Sequence, residues 1–560
     1  MINLPIGYSD FREVVDGKLD FVDKSLLIPE IIKGPKISLI TRPRRFGKTF
    51  NMSMLRYFFA ETVDRQPTKG LFDTLQIAQM GNDILEHQGK YPVIFLTFKD
   101  IKESTFDLCF EGIYETLLRA YNEFSYLLTS EALSDYQKNF LVKFFNKEAT
   151  PAEVQGSLLF LTECLFRHHG VRPVILIDEY DTPIQSGFLN GYYDQAIHFF
   201  RSFLGSALKD NNYLTRAVLT GILRVSRESL FSGLNNIVVY SLLDSKLSEF
   251  FGFTQTEIDE LLLKSNLQDK ASEVKNWYNG YQIGETFLYN PWSIINCINN
   301  GGSLEPFWVN TSDNALIKDL LIKSSTHFKT QFETLLQDTF IEQRVDQSFV
   351  FPDLEKNHEM AVWTLMVMTG YLTVQERETG EILPLCRLAI PNHEVRSLFQ
   401  LIIKKWLANG YGLMWYEQFI DSLLKGEVAE FEKGLQQLMD HTVSVHDVAR
   451  EPEAFYQGLM IGLTASLANH KDYELKSNRE SGQGRYDYLI LARDPEKLSI
   501  LLEFKKVSSA TEGALQKAAQ GALEQIEDRE YVAELQQRGL SKVLKIGIAF
   551  SGKRFALAYA

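Results

Sequence analysis

Two stretches of this chain combine residue types and spacings suited to phosphate chemistry. The first, ISLITRPRRFGKTFNMSMLRYFF at 37–59, is an apolar run, a basic loop, then Gly-Lys-Thr opening an amphipathic pattern. Strand, loop and helix start are the context a phosphate-binding loop requires, because the N–H groups at a helix N-terminus carry partial positive charge. In this reading Lys48 reaches the β- and γ-phosphates and Thr49 holds Mg²⁺, with Arg45, Phe46 and Gly47 forming the loop around the nucleotide. The usual GxxxxGK[ST] spacing would place its first glycine where Arg42 stands, and the tripeptide alone fits chance as well as it fits a site.

The other half of this site is GVRPVILIDEYDTPI at 170–184, an apolar strand ending in Asp178-Glu179. An acid at a strand tip can hold the metal's water shell and its neighbour can polarise the attacking water. The competing account has Asp178, Glu179 and Asp181 capping the next helix, and Asp181 is the alternative for the water. Thr220, in RAVLTGILRVSRESLF, ends a further strand and is placed to sense the γ-phosphate, with Arg224 and Arg227 as charge stabilisers.

The second stretch, GQGRYDYLILARDPEKLSILLEFKK at 482–506, puts Asp487 on one strand and Glu503 and Lys505 on the next. Residues two apart in a strand share a face, so Glu503 and Lys505 point together, and a hairpin through Asp494-Pro495 brings Asp487 opposite. Two carboxylates and a lysine are what a metal-dependent phosphodiesterase needs: the acids hold the ion, the ion lowers the pKa of a water, and the lysine acts on the scissile phosphate. Hard oxygen ligands suit Mg²⁺ or Mn²⁺ over zinc. Charged residues along a strand can also be its wet face, but Leu501, Leu502 and Phe504 suggest a strand covered on both sides, where a lone Glu is costly.

These residues need rigid elements behind them. Over the first 250 residues, β-branched runs (Ile37–Thr41, Val93–Phe98, Val174–Asp178, Arg216–Gly221) alternate with amphipathic segments (Asn51–Phe59, Phe106–Phe124, Tyr193–Leu208), which predicts a parallel α/β sheet. Residues 254–425 read as a mostly helical module with one hairpin turning at Thr379-Gly380. From 426 on, strands Tyr486–Ala492, Leu498–Phe504 and Val543–Phe550 and a helix over Glu512–Gln525 predict a third, α/β module. The expected domains are therefore 1–253, 254–425 and 426–560.

Composition narrows the setting. A chain of 560 residues exceeds one core, and 45% hydrophobic with 23% charged residues is globular. The net charge of −14 argues against coating nucleic acid, though a local cleft still permits it. Four dispersed cysteines, a polar N-terminus and apolar runs shorter than the ~20 residues of a membrane span predict a reducing, cytoplasmic setting without a membrane.

Taken in order, RPRRFGKT, LIDEYDTPI, LTGILRVSRESLFSGLNN, WYNGY, YNPWSI and NTSDN resemble the motifs of the AAA-ATPase-like family found in many bacterial proteins, whose members typically carry a C-terminal PD-(D/E)XK nuclease-like domain. The resemblance spans nearly the whole chain. It implies an N-terminal P-loop ATPase and a restriction-endonuclease-like α/β domain at the C-terminus. It makes the arginine-rich loop, Arg42 included, a usual feature of the family. It also adds Glu453, as a helix carboxylate near the metal, and Gln525, as a helix residue over the nuclease site. Trp277, Tyr278, Tyr281, Tyr289 and Trp292 read as domain-junction packing or as an adenine pocket, and Asn310, Thr311 and Asn314 as a turn and helix cap that the resemblance turns towards the ATPase.

The expected function is an ATPase whose nucleotide state controls a Mg²⁺-dependent nuclease. The alternative is a nucleotide-switched signalling or scaffold protein with a non-cleaving nuclease-like domain. ATP and, at the C-terminal domain, DNA or RNA are the expected partners. A homo-oligomer is compatible with the sequence.

Overall fold

The computed structural model describes residues 2–224, 237–308, 320, 326–336, 339–356, 358–378, 380–408, 412–442, 464, 472–481, 484–507, 511–528, 535 and 539–560. Arg227, Asn310, Thr311, Asn314, Thr379 and Glu453 lie outside them. By packing, the chain divides into two units, Met1–Ser312 with Glu342–Val395 and Asp313–Ile341 with Arg396–Ala560.

The first unit is built on five parallel strands: β1 (Ile37–Thr41), β2 (Val93–Thr97), β3 (Val174–Asp178), β4 (Arg216–Gly221) and β5 (Ile237–Tyr240). Their order is β2-β3-β4-β1-β5. Every residue of β1 and β3 is buried, as expected where helices cover both faces of a parallel sheet. The two faces divide by alternation. Leu39, Ile175, Ile177 and Leu219 enter one core with helices Phe106–Glu123, Pro151–His169 and Tyr193–Leu208. Ile40, Leu176 and Val218 enter the other with helix Lys48–Phe59. The helix boundaries follow local chemistry: Thr150 and Glu153 form a capping box, Pro151 occupies the first turn and Gly170 closes the helix at φ 70°.

Residues 255–299 supply helices Gln255–Lys264, Ala271–Tyr278 and Pro291–Asn299, with a small hairpin, Tyr281–Ile283 and Thr286–Leu288, where the sequence reading had only aromatic-rich turns. The anticipated later hairpin pairs Thr373–Arg377 with Leu385–Ala389, with Gly380 at φ 92°.

The second unit carries a mixed sheet of β6 (Tyr473–Ser481), β7 (Gly484–Ala492), β8 (Ser499–Lys506), β9 (Val543–Ser551) and β10 (Arg554–Tyr559), in that order. All neighbours are antiparallel except β8 and β9. A parallel pair needs a crossover, and helix Glu512–Asp528 lies within it. The β7–β8 turn is set by Asp494, whose carboxylate and carbonyl accept the N–H groups of Glu496 and Lys497, both at 3.0 Å.

Candidate functional sites: a nucleotide cleft and a carboxylate pair

Strand order decides the geometry of the first site. Because β4 lies between β1 and β3, the residue ending the apolar run of β4 faces the acid ending β3. The Asp178 carboxylate consequently accepts two hydroxyls, Thr49 Oγ1 at 2.8 Å from the start of helix Lys48–Phe59 and Thr220 Oγ1 at 2.7 Å from β4. Asp178 is fully buried, and burial, followed by the neighbouring Glu179 charge, raises its pKa above the ordinary carboxylate range. A cation beside it would relieve that cost. Thr49 Oγ1 and the Asp178 carboxylate are hard oxygens at one point, the donor set that fits a divalent ion retaining several waters.

Lys48 is 3% exposed and directs its ammonium at Glu179 Oε1, 3.2 Å away, and at the carbonyls of Arg42 and Pro43, each at 3.1 Å. Glu179 sits at φ 54° and Arg45 at φ 68°. Left-handed backbone costs a non-glycine residue about 1–2 kcal/mol, and such positions cluster at functional sites. Asp181 turns away from this centre: Oδ2 accepts the N–H groups of Ile222 and Leu223 at 2.9 and 2.8 Å, tying β3 to the segment after β4. That placement explains the glycine that ends β4. A Cβ on Gly221 would lie 2.6 Å from Asp181 Oδ1.

The absent first glycine also has a structural reason. Arg42 is fully buried, and Nη1 donates to the carbonyls of Thr41, Tyr240 and Ser241 at 2.8–3.0 Å. It pins the end of β1 to the end of β5, with Asp244 as counter-charge, and burial lowers its pKa only to about 10, so it stays charged at pH 7.

The loop opens into a cleft of about 480 Å³ lined by Arg44, Arg45, Phe46, Gly47, Lys48, Thr49 and Glu179, with apolar walls from Phe21, Phe50, Phe253 and Trp292. Arg45 lies over the Trp292 ring at 4.4 Å. The aromatic motifs thus divide: Trp292 faces the cleft, while Tyr278 and Tyr289 belong to the buried cluster behind its Phe253 wall, Trp277 packs on His393 and Tyr281 packs edge-on against Phe46 at 5.0 Å. Asn290 caps helix Pro291–Asn299, and its amide and the Trp308 indole both donate to the Arg44 carbonyl, at 3.4 and 3.3 Å. Behind them the buried Glu394 accepts the Ser293 hydroxyl at 2.7 Å and the Trp308 N–H at 2.6 Å, and burial raises its carboxyl to about 7. Arg224 is placed elsewhere. It lines a small cavity with Thr41, Ser241, Asp346 and Gln347, since the chain after Gly221 bends towards the end of β1. Sequence reasoning missed Lys99 and Lys102, which line this cleft from the loop after β2 and lie in no phosphate-loop pattern.

In the second unit, Tyr488↔Leu502 is followed one step on by Asp487 and Glu503, which therefore share a face. Asp487 Oδ2 accepts the Phe504 N–H at 2.9 Å, holding the carboxylate over the strand bearing Glu503. Glu503 is 2% exposed, and the Gln525 amide donates to it. Gly547, the β9 register partner of Glu503, shows why the helix can reach: a Cβ there would meet the Ala519 carbonyl at 2.3 Å, so helix Glu512–Asp528 rides directly on the sheet. Lys505, two residues on, is half-buried on the same face. Glu503 and Lys505 thus share a face of the central strand β8, with Asp487 on the neighbouring β7 and Gln525 reaching Glu503 from the helix. Among the described residues no group of three His, Cys, Asp or Glu forms a metal site, so this face offers a pair of acids.

Residues 5–231 match the model of a family described as predicted AAA-ATPase, and residues 451–559 match that of the PD-(D/E)XK nuclease superfamily. An uncharacterized protein from the vnfD 5′ region of Azotobacter chroococcum mcd 1 is 27% identical over 556 residues, covering 98% of this chain and 96% of its own. The Walker-type ATPase of Pyrococcus abyssi is similar at TM-score 0.38 and 12% identity, over 67% of this chain and 94% of that one. A signal-transduction ATPase with numerous domains and a tetratricopeptide repeat sensor, from Pyrococcus horikoshii, gives TM-score 0.21 and 11% identity, over 80% and 56%. These domain types imply use of a nucleotide and a divalent metal. The four cysteines are unbonded and buried, and among the described residues no helix is long and apolar enough to cross a membrane. The chain carries an N-terminal region of the predicted AAA-ATPase family and a C-terminal region of the PD-(D/E)XK nuclease superfamily.

Proposed function

We propose that this protein binds and hydrolyses ATP with Mg²⁺ in the N-terminal cleft, and that nucleotide state controls cleavage of DNA or RNA by its C-terminal domain in a cytoplasmic setting. The observation that carries the reading is the Asp178 carboxylate shared by Thr49 and Thr220. Lys48 holds the phosphates, Thr49 and Asp178 hold the ion, Glu179 takes the proton of the attacking water, and Thr220 keeps Asp178 oriented and senses the γ-phosphate. Arg45, Phe46 and Gly47 enclose the nucleotide. The ion, when bound, neutralises phosphate charge. At the second site Asp487 and Glu503 hold Mg²⁺ or Mn²⁺, Gln525 orients Glu503, and Lys505 contacts the scissile phosphate.

The functional modules in this proposal are 1–253, 254–425 and 426–560, which limited proteolysis tests. Purified protein incubated with DNA and with RNA, in Mg²⁺ or Mn²⁺, with and without ATP, tests the function. Metal-dependent cutting that changes with ATP is expected. Cutting indifferent to ATP would remove the control, and ATP turnover without cutting in either metal would establish the scaffold reading instead.

A further inference from the structure

The nucleotide cleft is strongly cationic. Lys24, Arg44, Arg45, Lys48, Lys99 and Lys102 line it, against the acid Glu179. Four of the six are accounted for by position or partner. Lys24 is spent on Glu257 at 2.5 Å and on the Glu249 carbonyl at 2.6 Å. Arg44 and Arg45 belong to the phosphate loop, with Arg45 laid on Trp292, and Lys48 is the loop lysine.

Lys99 and Lys102 come from the other side. They follow β2, the neighbour of β3, on the flank of the sheet where Glu179 follows the end of β3. Both are exposed on a loop that is held firmly. Phe98 N–H donates to the Asp178 carbonyl at 3.0 Å, Ile101 N–H donates to the Phe98 carbonyl at 3.1 Å, and Ile101 is buried in the core. At the far end, the Glu103 carbonyl accepts from three side chains, Ser186 at 2.9 Å, Asn190 at 3.2 Å and Tyr192 at 2.8 Å. Those donors stand on and just beyond helix Thr182–Leu189, whose first residue also lines the cleft. A loop fixed at both ends to the segment carrying Asp178 and Glu179 presents its lysines to the same cleft that Glu179 lines.

We propose that Lys99 and Lys102 are catalytic residues that contact the terminal phosphate and stabilise the charge developing on it, a task the sequence reading gave to Arg224 and Arg227. This rests on the ATPase reading above. Water oxygen bonds to the γ-phosphorus, the bond from that phosphorus to the β–γ bridging oxygen breaks, the electron pair leaves with ADP, and the water proton passes to Glu179. Positive charge on the equatorial and bridging oxygens lowers the barrier, and cations in this role are worth orders of magnitude in rate.

The test compares wild type, Lys99→Ala, Lys102→Ala, the double alanine variant, the double arginine variant and Lys48→Ala for ATP affinity, turnover, and tight binding of ADP with Mg²⁺ and aluminium fluoride. The double alanine variant is expected to lose about 100-fold in kcat with affinity changed less than about 3-fold. It should also lose the tight fluoride complex, and arginines should restore part of the rate. Turnover within 2-fold of wild type in the double alanine variant, or an affinity loss at unchanged kcat, overturns the role. Wild type that neither binds nor hydrolyses ATP would instead defeat the ATPase reading, and a wild-type-like Lys48→Ala would defeat its assignment to this loop.

Discussion

The two sites use the same elements, buried acids beside a lysine, but position them by different means. In the nucleotide cleft the acid is held by hydroxyls: Asp178 takes one from the phosphate-loop helix and one from β4, and Lys48 meets Glu179 directly. At the C-terminal site the acids are held by an amide of each kind, the Phe504 backbone N–H on Asp487 and the Gln525 side chain on Glu503. A hydroxyl can hand its carboxylate to a cation and then accept or ligate in turn, whereas an amide N–H can only donate. The first site can therefore be rearranged by its ligand. The second fixes its acids before any ligand arrives.

The most damaging change to the first site is Lys48→Ala, which should remove both ATP-dependent thermal stabilisation and turnover, since the ammonium is the fixed charge at the mouth of the loop. An equal ATP-induced Tm shift in wild type and variant would break this side of the comparison. At the second site, Asp487→Ala or Glu503→Ala should abolish metal-dependent cutting, while Lys505→Ala keeps the metal and loses the cutting; calorimetric metal titration beside a nuclease assay reads both. Cutting by Asp487→Ala at wild-type rate would end that assignment.

Glu179→Gln should slow turnover by about 100-fold with ATP affinity held within a few-fold, because an amide cannot take the water's proton. Unchanged turnover would move the base elsewhere, although Asp181 is already engaged by Ile222 and Leu223. Thr220→Ala sharpens the contrast at lower cost: Asp178 loses one hydroxyl donor, so stability should fall by about 1–2 kcal/mol in chemical denaturation, more when ATP is absent than when it is present.

The smallest effect is the pH response of Glu394. Its carboxyl, raised to about 7, is protonated in the folded chain while an unfolded one is already ionised, so its contribution is full below about pH 4.5 and is lost as pH rises towards 7. Glu394→Gln can keep both hydrogen bonds without the charge, and should flatten that slope in Tm between pH 5 and 8. An unchanged slope would place the titration elsewhere.

Much of this was legible because the signals are local. Residues 174–178 are an unbroken apolar run closed by an acid, and Gly-Lys-Thr announces a helix start, so strand, helix and acid could be placed from neighbours alone. Asp487, Glu503 and Lys505 were legible for a different reason, since strand periodicity and one Asp-Pro turn dictate which side chains share a face. Lys99 and Lys102 were not, because their meaning depends on β2 lying beside β3, a pairing of strands about 80 residues apart. Arg42 was read as a departure from the loop pattern, and nothing near it in sequence reveals that Tyr240 and Ser241 would receive its guanidinium. Arg224 sits one turn from Thr220 in sequence, but the chain bends after Gly221 and takes it to another cavity.

The bonds on Asp178 join residues 129 and 42 positions apart in sequence, so the nucleotide site comes into being only once the sheet is assembled. A ligand that recognises this arrangement binds folded and not unfolded chains. At a concentration 100 times its dissociation constant it adds about 2.7 kcal/mol to the folded side. That is a sizeable part of a domain's net stability of about 5–15 kcal/mol. If that ligand is ATP, as proposed above, withdrawing it from such a concentration raises the unfolded fraction about a hundredfold, and with it exposure to proteases.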